Sequence, residues 1–306
     1  MNNRDKGIDA ARGLALVGMV IVHLQTDFFS LEKMDFESPY WDLILSIFSN
    51  RARPMFFLLA GFGAATVITA KAQHFMLRRA AYVSSLGVLL ALIGWNDLIL
   101  VFYGILFILA PWIARLNNRI QAILFISLFC IGIFAQVVEV LAIAVIAEIL
   151  SYFILGMWLS EQRREVIRKL GFLLFLTYIP FALTVGVGLY ADDKLFLDSL
   201  VWWELFLFCT SNIGILFLII EGFRHATSRG RLVVLVAIGS MPLTSFIAHA
   251  LYFVILDRLA PQSFSWVFLS AFLFLIVLSL FASILYRSGK RGPFEALLRK
   301  ITTQNS

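Results

Sequence analysis

Charge is scarce in this sequence: Asp, Glu, Lys and Arg make up 14% of its 306 residues, and apolar types 61%. Ordinary soluble domains carry roughly 25% charged and 45–50% apolar residues. A soluble globular fold is therefore excluded, and a mean hydropathy of +0.90 leaves the polytopic membrane class. Cysteine is almost missing. Cys130 and Cys209 lie far apart inside apolar runs with no C-x-x-C spacing, which removes a disulfide framework and a zinc site and leaves packing as their role. There is no G-x-S-x-G elbow and no H-E-x-x-H pair, so two common hydrolase signatures are absent and no metal is expected. Gly61-Phe-Gly63-Ala-Ala65 lacks the strand and third glycine of a dinucleotide fingerprint and reads as close helix packing. No polar linker, low-complexity tract or internal repeat divides residues 1–306, which read as a single transmembrane domain ending in a short cationic amphipathic tail, 287–306.

What the chain does have is a succession of apolar runs about 17–25 residues long, the length that crosses a hydrocarbon core of about 30 Å as a helix. They predict an all-α, polytopic integral membrane bundle of about ten transmembrane helices, at 8–29, 54–70, 79–95, 97–113, 119–137, 138–160, 170–190, 200–222, 232–256 and 265–285. Loop cations fall almost wholly on one side, from Arg4 and Lys6 through Lys71, Arg78, Arg79, Arg115, Arg119 and Arg163 to Arg299 and Lys300. On the other lie Lys33, Lys194 and Arg258, among Glu32, Asp35, Glu37, Asp192, Asp193 and Asp257, with Arg51 and Arg53 immediately before the second run. The positive-inside rule then places both termini in the cytoplasm. The net charge of +6 follows from this topology and from anionic headgroups, and does not indicate nucleic acid. Asp9 and Arg12 interrupt the first run and no small-residue cleavage site follows, so that run is expected to stay as an anchor in a multi-pass cell-membrane protein. Segment 30–53, with an apolar stretch from Leu43 to Phe48, reads as an interfacial helix over the outer mouth.

Ionisable groups inside such runs cost about 2.5–3.5 kcal/mol each near the bilayer centre and mark functional sites. At 100° per residue Asp9, Arg12, His23 and Asp27 share an arc of roughly 60° on the first helix. With a rise of about 1.5 Å per residue, Arg12 and His23 stand about 16 Å apart, and His23, His249 and Glu204 all reach the outer third. A histidine there can serve as general base, and Asp27, one turn beyond His23, can orient it. The competing reading is a histidine that hydrogen-bonds two helices. Asp27, Arg51, Arg53 and Asp97 flank the layer as candidate substrate-binding groups, the arginines suited to an anionic or sugar-like acceptor or else to pairing with Asp27 or Asp42. Glu148 reads equally as a proton carrier or as a hydrogen-bond partner inside the bundle. On the opposite side Lys71, Arg78 and Arg79, with Arg12 just inside the membrane, can bind phosphates, although topology alone accounts for the loop cations.

The order of these segments resembles a known group. Ile8-Asp9-Ala-Ala-Arg12-Gly13-Leu-Ala-Leu-Val-Gly18-Met19 followed by His23, then Arg53-Pro-Met-Phe-Phe-Leu-Leu-Ala-Gly61, Tyr103-Gly104 and Ile238-Gly239-Ser-Met241-Pro-Leu-Thr244-Ser-Phe-Ile-Ala-His249, is similar to the transmembrane acyltransferase superfamily. That group includes acyltransferase 3 proteins and heparan-α-glucosaminide N-acetyltransferase-like proteins. Arg291-Gly-Pro293-Phe-Glu295-Ala-Leu-Leu-Arg299 resembles a bacterial membrane family known as domain of unknown function 418.

The resemblance implies that acetyl-CoA or another acyl-CoA binds from the cytoplasm and that its acyl group passes to an outer hydroxyl or amine acceptor such as a glycan, in a bacterial inner or plasma membrane. Arg12 would meet the donor, Lys71, Arg78 and Arg79 its phosphates, His23 the reacting centre, and His249 and Glu204 would orient or protonate. Two rivals share these residues: a transporter or flippase using buried His, Asp and Glu, against which the missing repeat counts, and a non-catalytic membrane partner or sensor. Small-residue helix faces serve internal packing as readily as a homodimer contact.

Overall fold

The computed structural model describes residues 5–28, 45, 47–49, 51–68, 73–95, 97–180, 194–259 and 263–303, with the backbone alone at 73, 194–204 and 264. Among the described residues, twelve helices with defined bounds follow in chain order: α1 Lys6–Asp27, α2 Ala52–Ile68, α3 Gln73–Leu92, α4 Ile99–Ile113, α5 Asn118–Val137, α6 Leu141–Ser160, α7 Arg164–Leu176, α8 Lys194–Ser228, α9 Val233–Ser240, α10 Pro242–Arg258, α11 Phe264–Arg287 and α12 Pro293–Thr303. No strand occurs among the described residues. Six of these helices are long and apolar enough to cross a membrane, or seven crossings if the bent pair α9–α10 counts as one, and α2 and α4 are shorter apolar helices. The chain is a multi-pass membrane protein. The expected pairs 79–95/97–113 and 119–137/138–160 correspond to α3/α4 and α5/α6, each joined by a short connection. Segment 29–44 and much of 170–190 lie outside the described residues.

Helix α1 is the central element. In its most apolar window 67% of residues are buried, against 17% in α5 and 22% in α11. Those outer helices present Ile123, Ile126, Phe134, Phe272, Leu280 and Ile284 to the surroundings, a surface only lipid tolerates. Two close backbone crossings hold the interior. A Cβ on Gly239 or Gly13 would collide with the backbone of Asp9 or Leu235, and one on Gly61 or Gly156 with that of Phe153 or Leu58. Small residues here permit the approach that packs helices within lipid, as expected for Gly61.

One expected span is corrected. Residues 232–256 do not form a continuous helix: α9 and α10 meet at Met241 with a bend of 86°. Pro242 lacks an N–H and its ring clashes with the carbonyl four residues back, so it starts α10 rather than continuing α9. The carbonyl of Ile238 accepts from Ser245 Oγ at 3.2 Å. The new N-terminus is closed by the tail. Glu295 of α12 accepts from the backbone N–H groups of Leu243 at 2.6 Å and Thr244 at 3.0 Å, and from the Thr244 hydroxyl. Phe294 and Leu298 pack against the core while Leu297 and Ile301 stay exposed. The tail therefore docks on the bundle through one face and leaves its other apolar residues outside. The cysteines differ: Cys209 is half-buried, but Cys130 is exposed and does not pack as expected.

Candidate functional site

The site is assembled where α1, α10 and the α3–α4 turn meet. His23 and Asp27 stand one helical turn apart on α1, with His23 Nδ1 3.4 Å from an Asp27 oxygen. Asp97, brought by the turn after α3, stands 3.7 Å from His23 Nε2 on the other side of the ring. That turn is fastened to α10 by Arg258, whose guanidinium donates to the Ile93 carbonyl at 2.9 Å. Two carboxylates thus flank one imidazole, an arrangement that orients the ring.

Behind His23 the site is aromatic. Trp95 lies 5.0 Å from the His23 ring, His249 5.2 Å and Phe253 5.6 Å, centroid to centroid. Trp95 and His249 are themselves 5.4 Å apart in an edge-to-face contact. His23 keeps 20% of its side chain accessible, whereas His249 is 1% and Trp95 6% exposed. Neither ring nitrogen of His249 nor Trp95 Nε1 has a hydrogen-bond partner among the described residues. Buried groups of this kind normally find partners, and leaving one without costs about 1–3 kcal/mol. Trp95 was not among the expected site residues. Tryptophan between two short-looped spans reads as an interfacial anchor, and only the fold turns it inward.

Asp9 and Arg12 form the other end of the α1 stripe. Arg12 pairs with Asp9 at 2.9 Å and donates to the Leu59 carbonyl at 3.2 Å. Arg79 places its guanidinium over Phe107, 4.6 Å from the ring centre, and Phe107 meets buried Tyr103 edge-on at 5.8 Å. The Tyr103 hydroxyl donates to the Phe56 carbonyl at 2.8 Å. Arg78 is half-buried nearby on α3, and Lys71 lies outside the described residues.

Arg51 and Arg53 go elsewhere. Arg51 Nε donates to Asn212 at 2.9 Å and Arg53 pairs with Glu148, while Asp42, one of the expected partners, lies outside the described residues. Glu148 is thus an ion-pair member, lining with Arg53 a cavity of about 210 Å³. Glu204 belongs to α8, but its side chain lies outside the described residues. Among the described residues no group of three or more His, Cys, Asp or Glu is arranged to hold a metal.

A family model described as heparan-alpha-glucosaminide N-acetyltransferase, catalytic, matches residues 4–198, and one described as protein of unknown function (DUF418) matches residues 155–305. No curated protein and no solved structure matches the chain. His23, Trp95 and Asp97 fall in the first match and His249 and Phe253 in the second, so one cluster joins the two. Since the first match runs through well over half of the chain, including the whole α1 stripe, the protein belongs to the membrane acetyltransferase-like family of that model.

Proposed function

We propose that the protein moves an acetyl or similar acyl group from acyl-CoA to a hydroxyl or amine, with His23 as general base. The observation that carries this reading is His23 held between Asp27 and Asp97 with its ring backed by the unpartnered nitrogens of His249 and Trp95. His23 takes the proton of the acceptor's amine or hydroxyl. The acceptor's lone pair forms a new bond to the thioester carbonyl carbon, the carbon–sulfur bond breaks, and the leaving CoA sulfur takes the proton back from His23. Charge develops on the carbonyl oxygen, and Trp95 Nε1–H and His249 supply donors for it. Asp27 and Asp97 hold the imidazolium between the two proton transfers. Glu204, from α8, orients or protonates at the same layer.

The donor comes from the cytoplasm in this reading, its phosphates met by Lys71, Arg78 and Arg79 and its pantetheine arm passing Arg12 and Tyr103 over the about 16 Å to His23. The acceptor is an outer small molecule or glycan. The loop cations support that orientation, with both termini cytoplasmic. In this reading the ten crossings are the six long helices, the bent pair, the two shorter apolar helices and the apolar run expected at 170–190.

The test is acyl transfer by purified protein given labelled acyl-CoA and amine or sugar acceptors. Wild type is expected to release CoA in an acceptor-dependent manner, and His23→Ala to lose about 10²–10⁴-fold of that rate with unchanged helix content. Unaltered turnover in the variant, or substrate flux without CoA release in wild type, overturns the reading.

A further inference from the structure

The cavity beside Arg53 and Glu148, about 210 Å³, is a space that the acyl-transfer reading leaves idle. Its walls come from α5, α6 and α8 with Arg53 at the start of α2, and it has no residue in common with the histidine cluster. We infer that it is a lipid site for a zwitterionic phospholipid with a primary amine, the phosphate resting on Arg53 and the ammonium on Glu148. The inference does not depend on acyl transfer.

Three observations carry it. The first is where the cavity opens: Gln136 and Leu141, which line it, flank the 138–140 turn. Leu141 is 69% and nearby Phe134 57% exposed, so the rim is apolar and stands at the end of two spans, the depth at which a lipid headgroup lies. The second is Gly132. A Cβ there would meet Ala147 Cβ at 3.5 Å, an ordinary contact, unlike the collisions at Gly61 and Gly156. Gly132 therefore sits in the cavity wall at ordinary contact distance from α6, where a side chain much larger than a methyl would have to fill the cavity or push α6 away. The third is charge. The cavity holds one cation and one anion, paired to each other and each partly exposed. A net anionic or cationic ligand would take one and strand the other, whereas a zwitterion exchanges both partners at once. The guanidinium fork matches phosphate oxygens, and an ammonium donates to a carboxylate. Phe129, Ile133 and Val145 offer apolar wall to the chains.

The purified chain is equilibrated with equal amounts of phosphatidylethanolamine, phosphatidylcholine, phosphatidylglycerol and a neutral monoglucosyl lipid, and retained lipid is measured by native mass spectrometry. Phosphatidylethanolamine is expected to exceed the anionic and neutral lipids by about tenfold, the equivalent of about 1.4 kcal/mol. It should also exceed phosphatidylcholine, whose quaternary amine has no N–H for Glu148. Glu148→Gln is expected to bring phosphatidylethanolamine down to the phosphatidylcholine level. Gly132→Phe should lower all retention with helix content unchanged; if that variant does not fold, Glu148→Gln decides alone. Equal or greater retention of phosphatidylglycerol or of the glucosyl lipid overturns the proposal, as does a preference for phosphatidylethanolamine that survives Glu148→Gln.

Discussion

The two ends of α1 hold polar groups in opposite ways. At the N-terminal end Arg12 is engaged by the Asp9 carboxylate and the Leu59 carbonyl. Eleven residues on, His23 faces two carboxylates, yet the rings behind it, His249 and Trp95, are sealed from solvent with three nitrogens unpartnered. A satisfied polar group in lipid strengthens the fold, and an unsatisfied one weakens it by about 1–3 kcal/mol. The same helix is thus architecture at one end and a waiting site at the other.

The largest effect is expected at the satisfied end. Asp9 is 2% exposed, and Asp9→Ala takes the counter-charge from Arg12 and leaves its guanidinium on the neutral Leu59 carbonyl, which should cost about 3–5 kcal/mol in stability. Thermal melting of the purified variant in detergent measures it. Unchanged melting would break the contrast by showing that Arg12 needs no partner.

At the other end the expected loss is in rate. Trp95→Phe keeps an aromatic ring against His249 and Phe253 but deletes the orphan N–H, so turnover should drop about 10²-fold, as for removal of one donor to a developing oxyanion. The orphan's own cost disappears with it, so melting should not fall in proportion. A variant that loses stability and keeps its rate would make Trp95 a packing residue. Next come the carboxylates: Asp97→Asn and Asp27→Asn each leave one charge beside His23 and are expected to lower turnover about tenfold. The double variant should fall by less or more than the product of the two, because both act on one ring. Multiplicative loss measured in the same assay would mean that they act independently.

Much of this was legible in the sequence, for reasons that differ by residue. Apolar length set α5 and α6 to within three residues at each end, and the i, i+3 and i, i+4 spacings of Asp9–Arg12 and His23–Asp27 became contacts because a helix enforces them. Depth along the spans brought His249 and Asp97 to His23. What depth and hydropathy left open was long-range and lateral. Depth does not say which helices are neighbours, so Arg51 and Arg53 sat in the expected layer but turned to Asn212 and Glu148. Hydropathy does not see a hinge either: 232–256 is apolar throughout, and Pro242 was the local signal for the break.

That break carries the smallest expected effect and the sharpest refinement of the contrast. The freed N–H groups at the start of α10 would be orphans like those of His249, seven residues along the same helix, had Glu295 not reached them from α12. Here the chain supplies its own carboxylate where the histidine cluster leaves its nitrogens open. Glu295→Gln keeps an acceptor and removes the charge that complements the positive helix end, so stability should fall by about 1 kcal/mol. Because His249 rides on α10, turnover should change only slightly, through the position of that ring. A melting shift with near-normal turnover separates a helix end that the fold has closed from nitrogens left for substrate. Loss of turnover with unchanged melting would instead make the tail carboxylate part of the site.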